Sequence, residues 1–310
     1  MSDGEHGVEV SILPSAGNRV WQMKVHGKNI LYHPSDLTEL GGIPFLAPWA
    51  DLLDEPAFWA NDKRYGFNLG LGNVHLGDIQ GERPIHGLLT NSPLWQVIEL
   101  AADEGCAHVS SRLEFWKHPD LMAQWPFAHE YAITYRLSDG VLEVETRVSN
   151  LSEDPMPLAI GFHPYLQIPD IPRDEWVVHL PARTHVMADE HQIPTGEMRP
   201  LDIPNPLSLR GQTLDDGFTD LERDANGRAR FSIESGGESG GKVVEILFGP
   251  KYPVATIWLP GEMPQFICTE PLTAIINGIN LAHEGKYSEL QQIPAGGNWT
   301  ESFWIRASGI

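Results

Sequence analysis

Apolar and polar residues alternate along this chain far more often than they recur at helical spacing. In HEYAITYRLSDGVLEVETRVSN, Tyr131, Ile133, Tyr135 and Leu137 share one face of an extended segment, because successive strand side chains point to opposite sides. After Ser138-Asp139-Gly140, the residues Leu142, Val144, Thr146 and Val148 do the same. This pattern predicts a hairpin with a Gly-containing turn and one buried face. Similar short runs occur at HGVEVSILP, RVWQMKVHG, KNILYHP, CAHVSSRLEFW, EWVVHLPA, RARFSIES, KVVEILFG, VATIWLP, FICTEP and TESFWIRA. Turn residues separate the runs, and 30 Gly and 25 Pro break the chain too often for long helices. Many short strands at this spacing predict an all-β sandwich or barrel.

No clear linker divides the chain, so one β-sandwich unit over 1–310 is expected. The low-complexity patch at 234–242, ESGGESGGK, reads as a flexible hairpin loop between two strands. The Pro-rich stretch at 193–209, IPTGEMRPLDIPNPLSL, reads as an irregular segment crossing one end of the sandwich.

Charge narrows the partners. With 21 Lys and Arg against 42 Asp and Glu the net charge is −21. Nucleic acid and anionic membranes need a basic footprint and are not expected as partners. Cys106 and Cys268 form no CxxC pair, which favours two plain thiols in a reducing compartment over a zinc or dithiol site. The N-terminus lacks a basic patch followed by an apolar run, and no stretch approaches the roughly 18–20 apolar residues of a membrane span. A soluble, cytoplasmic protein is expected. The oligomeric state is left open, a homodimer being one option.

Candidate chemistry lies where strand-like runs end. In QFICTEPLTA, Glu270 continues the face begun by Phe266 and Cys268, with Pro271 expected to stop the strand. A carboxylate in apolar surroundings has a raised pKa and can act as a general base. The plain alternative is a rim glutamate paired with a surface Arg. LAIGFHPYLQIP repeats the design, with His163 closing an apolar run before Pro164. In ERPIHGLL, Gly87 after His86 lets backbone approach closely, which suits a histidine presented at a pocket wall. Asp215 and Asp216 precede a Gly-Phe pair and carry an ordinary turn signature. A His/His/Asp/Glu set can bind metal, but no two of these have HxxxH or HxH spacing, and no metal is expected.

Taken together, GGIPFLAPWA, RPIHGLL, GFHPYL, LDDGFTDL and CTEPLTA, in that order over nearly the whole chain, resemble the aldose 1-epimerase (galactose mutarotase) family. The resemblance implies a large antiparallel β-sandwich, a galactose mutarotase-like supersandwich, with a sugar bound across one sheet and no cofactor. By the same resemblance, Glu270 matches the general base and His163 the general acid. His86 matches a histidine holding the sugar and its ring oxygen, and Asp215 an aspartate bonding sugar hydroxyls, with Asp216 a one-residue alternative. Many relatives carry an Asn-Arg pair where this chain has Asp51 and Leu52, a change that removes five potential donors. Asp51 is kept as a candidate sugar contact, and Arg64 or Lys63 as a substitute cation. The implied activity is anomer exchange of a neutral hexose. Rival readings are an epimerase for a modified or phosphorylated hexose and a non-catalytic sugar binder. A glycoside hydrolase would need two carboxylates flanking the bond, whereas the best candidate acid here is a histidine.

Overall fold

The computed structural model describes all residues except 78–80, 104, 236–240 and 264. Among the described residues two large antiparallel sheets face each other. The first runs, in spatial order, Gln96–Asp103, Cys106–Leu113, His129–Ser138, Val141–Asn150, Asn298–Ser308, Val243–Phe248, Ala229–Ser235, Trp176–His179 and Leu207–Ser208. The second runs Pro194–Pro200, Ala182–Ala188, Leu214–Leu221, Val254–Leu259, Ile267–Leu272, Gly161–Phe162 and Phe45–Leu46, with Tyr165–Leu166 also pairing Ile267–Leu272. A smaller N-terminal sheet joins Ser2–Asp3, Val8–Leu13, Arg19–Val25 and Lys28–Asn29. All three contribute to one contiguous apolar core. Aromatic contacts mark where the large sheets meet: Phe162 lies 4.9 Å from Phe303, and Phe45 packs edge-on against Tyr131 at 5.2 Å.

The expected hairpin forms. His129–Ser138 pairs Val141–Asn150 from His129↔Asn150 to Ser138↔Val141, and Tyr131, Ile133, Tyr135 and Leu137 are buried on one face. Asp139 and Gly140 both take left-handed backbone angles, φ 51° and 70°, as the two-residue turn matching strand twist requires.

Three expectations are corrected. Pro271 does not stop its strand, which runs to Leu272 with Pro271 opposite Ala255. Asp215 and Asp216 lie inside the strand Leu214–Leu221 rather than in a turn. Much of the Pro-rich stretch is ordered as the strand Pro194–Pro200, at the sheet edge, where proline's missing N–H is tolerated. The loop expected at 234–242 joins two strands that pair as a hairpin, but 236–240 lie outside the described residues.

Candidate active site

Strand register brings the site together on the face of the second sheet that points away from the core. Asp215 stands opposite Trp258, Trp258 opposite Cys268, and Cys268 opposite Tyr165. Glu270 is two residues beyond Cys268 and so shares its face. Asp216 points the other way, where the His185 Nδ1 lies 2.7 Å from Asp202 and its Nε2 3.2 Å from Asp216. The alternation of the strand thus separates the two aspartates: Asp215 lines the cavity and Asp216 does not.

The opposite wall comes from two irregular segments locked by backbone contacts. Asp51 and His86 both hold left-handed angles, φ 56° and 58°, which non-glycine residues adopt seldom and Asp and His more readily than most. The His86 N–H donates to the Asp51 carbonyl at 3.0 Å, and Leu52 bridges Ile85 beside them. Gly87, at φ 68°, lies against the Ala47 carbonyl with no room for a Cβ. The short helix Gly278–His283 braces the chain after Asp51. Asn280 donates to the Asp54 carboxylate at 2.7 Å, and the Trp59 N–H donates back to the Asn280 side chain at 3.1 Å. A third wall includes Leu40, whose segment is held by the buried Arg19 donating to the Leu37 and Glu39 carbonyls.

These walls enclose a cavity of about 330 Å³ that Asp51, His86, His163, Asp215 and Glu270 all line. His163 follows the strand Gly161–Phe162, and its N–H donates to the Pro44 carbonyl at 3.0 Å. Its ring stacks on Tyr165 at 4.7 Å, meets Trp258 edge-on at 5.6 Å and lies at right angles to His86 at 5.3 Å. Its Nε2 is 3.3 Å from Glu270 Oε1. Glu270 is 1 % exposed, and its Oε2 meets no hydrogen-bond partner in the protein.

Electrostatics follow from burial and like charge. Desolvation first, and then the Asp51 and Asp215 charges, hold Glu270 well above the ordinary carboxylate range. Burial and neighbouring His86 hold His163 well below the usual imidazole value. Burial and then His75 bring His86 down to about 4. Asp51, partly open to the cavity but densely surrounded, is raised to about 7 by desolvation and by Asp215. Asp215 rises to about 6 through desolvation and Asp216. The site therefore favours neutral forms, with the proton of the pair on the Glu270 carboxyl and His163 a neutral imidazole.

Arg64 is not among the cavity residues. The hairpin of Ala57–Ala60 with Lys63–Gly66 carries it to the surface, where its guanidinium pairs with Glu55. Leu52 instead packs with Ile193 and Ile276, with Ile85 against them, and makes this wall apolar. Sequence reasoning missed several lining residues: Leu40, Ile85, Tyr165, His191 and Gln192. Tyr165 carried a usable signal, two residues past His163 in GFHPYL; the loop residues carried none. No three His, Cys, Asp or Glu side chains among the described residues are grouped to hold a metal ion. No helix among them is long and apolar enough to cross a membrane.

A family profile described as Aldose 1-epimerase matches residues 2–302. The chain is 24% identical to a galactose mutarotase-like protein from Clostridium acetobutylicum, with a TM-score of 0.84 covering 98% of this chain and 94% of that one. Against a galactose 1-epimerase from Lactobacillus acidophilus the TM-score is 0.71 at 16% identity, covering 99% and 93% of the two chains. At these identities the likeness carries the fold. A protein of Escherichia coli K12 described as uncharacterized, YihR, is 28% identical over 160 residues, 51% of this chain; the match spans 46% of that relative, about half its length.

Proposed function

Since this chain belongs to the aldose 1-epimerase family, we propose that its cavity opens and recloses the pyranose ring of an aldohexose such as galactose or glucose, exchanging α and β anomers. The observation that carries this reading is the Glu270–His163 pair, a carboxyl and an imidazole 3.3 Å apart, both buried, on the wall of a sugar-sized cavity. The volume, about 330 Å³, falls at the lower end of the roughly 300–1,000 Å³ of small-molecule sites.

Ring opening needs two proton transfers and nothing else. Glu270 takes the proton of the C1 hydroxyl while His163 gives one to the ring oxygen. The bond from C1 to the ring oxygen breaks, and C1 becomes an aldehyde. Rotation about C1–C2 presents the other carbonyl face, and both transfers then run backwards as the ring closes. Atoms and charge balance without an oxidant, a phosphate or a cofactor. With Glu270 raised and His163 lowered, the pair's one proton rests on Glu270 before sugar binds, and it passes across the 3.3 Å contact to His163 Nε2 to give the carboxylate and imidazolium that ring opening uses. That proton count suits a reaction in which one partner must be basic and the other acidic. Stacking on Tyr165 fixes the imidazole plane, so Nε2 is presented rather than searched for. His86 and Asp215 hold ring hydroxyls, and Trp258 offers an apolar face for the sugar ring.

Polarimetry on freshly dissolved α-D-galactose and α-D-glucose in dilute buffer tests the reading. Anomer exchange well above the buffer-catalysed rate is expected. Sugar binding by calorimetry with no rate enhancement would overturn it in favour of a non-catalytic binder.

A further inference from the structure

Asp51, Asp215 and Glu270 line one cavity, and among the described residues no lysine or arginine lines it with them. Arg64, a substitute cation that the sequence offered, is turned away onto Glu55. One oxygen of Glu270, in a residue 1 % exposed, has no partner in the protein. The cavity thus offers acidic groups with no protein cation beside them among the described lining residues, and a cationic ligand would supply the opposite charge that lets one of them ionise. No three of the acidic and imidazole groups among the described residues converge as metal ligands would. The balancing charge is better supplied by an organic ammonium, which carries three donors and tolerates longer charge separations.

We propose that the preferred substrate is an aminohexose, whose ammonium group pairs with Asp51, and that sugars carrying an anionic group are rejected. This rests on the mutarotase reading above and names its substrate class. Asp51 is the carboxylate left for the ammonium. Glu270 is engaged with the C1 hydroxyl and His163, and Asp215 stands across the cavity on the sheet. Asp51 projects from the facing wall, its main chain fixed by the His86 N–H. Beside it, the Leu52 and Ile85 side chains supply neither donors nor charge, and the protein donor on its carboxylate is the Leu52 backbone N–H. A carboxylate flanked by apolar groups attracts a cation more strongly than one in water. The same surroundings make a sugar phosphate or uronate costly, because its charge would enter a desolvated cavity of acidic groups with no lysine or arginine among the described lining residues to pair with it.

The test is anomer exchange by NMR on wild-type protein at neutral pH, each rate corrected for buffer. The panel is galactose, galactosamine, N-acetylgalactosamine, 6-amino-6-deoxygalactose and galacturonate. At least one aminohexose is expected to show kcat/KM about tenfold above galactose, a difference of about 1.4 kcal/mol. Galacturonate is expected to fall about tenfold or more below galactose, by the same arithmetic. N-acetylgalactosamine, which keeps the nitrogen but not the charge, is expected to lose any advantage of galactosamine. Asp51→Asn is expected to bring the ratio of aminohexose to galactose close to one. Galactose turned over with no aminohexose ahead of it overturns this inference and leaves the mutarotase reading standing, as does an N-acetyl sugar equal to a favoured galactosamine. An advantage surviving in folded Asp51→Asn protein overturns the assignment to Asp51. Exchange of no sugar at all overturns both readings.

Discussion

Replacing Gly87 by alanine probes how the backbone presents His86. Gly87 sits at φ 68°, directly after His86 at φ 58°. An added Cβ would lie far inside contact distance of the Ala47 carbonyl. That carbonyl already accepts the Leu88 N–H at 2.7 Å, and Ala47 and Gly87 form a parallel bridge. Two costs follow. A Cβ in left-handed backbone costs roughly 1–2 kcal/mol. Pushing the Ala47 carbonyl away weakens a buried hydrogen bond, for roughly 1–3 kcal/mol more. Gly87→Ala is thus expected to lose about 2–5 kcal/mol in all. Gly211→Ala is the matched control. Gly211 has a similar φ of 64° but open space where the Cβ would go, so it meets the first cost alone. Urea unfolding followed by tryptophan fluorescence gives both midpoints and slopes. Mutarotation by each variant, measured well below its unfolding midpoint, gives the functional effect. Gly87→Ala is expected to lower kcat/KM about tenfold or more, since even a small misplacement of reacting groups is expensive, while Gly211→Ala leaves it unchanged. Equal destabilisation by the two variants, or wild-type kcat/KM in folded Gly87→Ala, would refute the argument that this close approach sets the site.

Three further outcomes are expected. As pH falls through about 7, Asp51 takes up a proton, so the ratio of kcat/KM for aminohexose over galactose should decline on the acid side; a ratio independent of pH in wild type would contradict this. His185 sits above its ordinary 6.5, because burial, which lowers it, is outweighed by Asp202 and Asp216. Its stabilising contribution is complete below 6.5 and is lost as pH rises through the raised value, so melting scans should show that pH-dependent loss reduced in Asp216→Asn while kcat stays near wild type. Arg64→Ala should leave KM and kcat within about twofold of wild type, the scatter of individual contributions, because Arg64 faces Glu55 rather than the cavity; a many-fold rise in KM would show that it reaches the sugar.

Much of this molecule was legible in its sequence, for physical reasons. Strands with one buried face announce themselves by alternation, as at 131–137 and 142–148, and Glu270 was placed on the Cys268 face by the same rule. Gln96–Asp103 was not foreseen: every residue in it is exposed, so no face is selected and no alternation appears. The Asp-Asp-Gly run in Leu214–Leu221 has turn composition, and pairing on both sides with Ala182–Ala188 and Val254–Leu259 overrides it. Leu40, His191 and Gln192 reach the cavity from segments with no period to read. Arg64 failed for a complementary reason, since nearness in sequence to Leu52 says nothing about where a hairpin will carry a side chain.

The acid–base pair is the centre of the account, and one measurement addresses it directly. Anomer exchange of α-D-galactose is followed by NMR for wild type, Glu270→Gln and His163→Asn, with circular dichroism to establish that each variant is folded. The account predicts that each substitution lowers kcat by roughly 10²–10⁴-fold, the worth of a positioned acid or base, with a much smaller change in KM. Wild-type kcat in folded Glu270→Gln protein would contradict it, and would move the base elsewhere in the cavity.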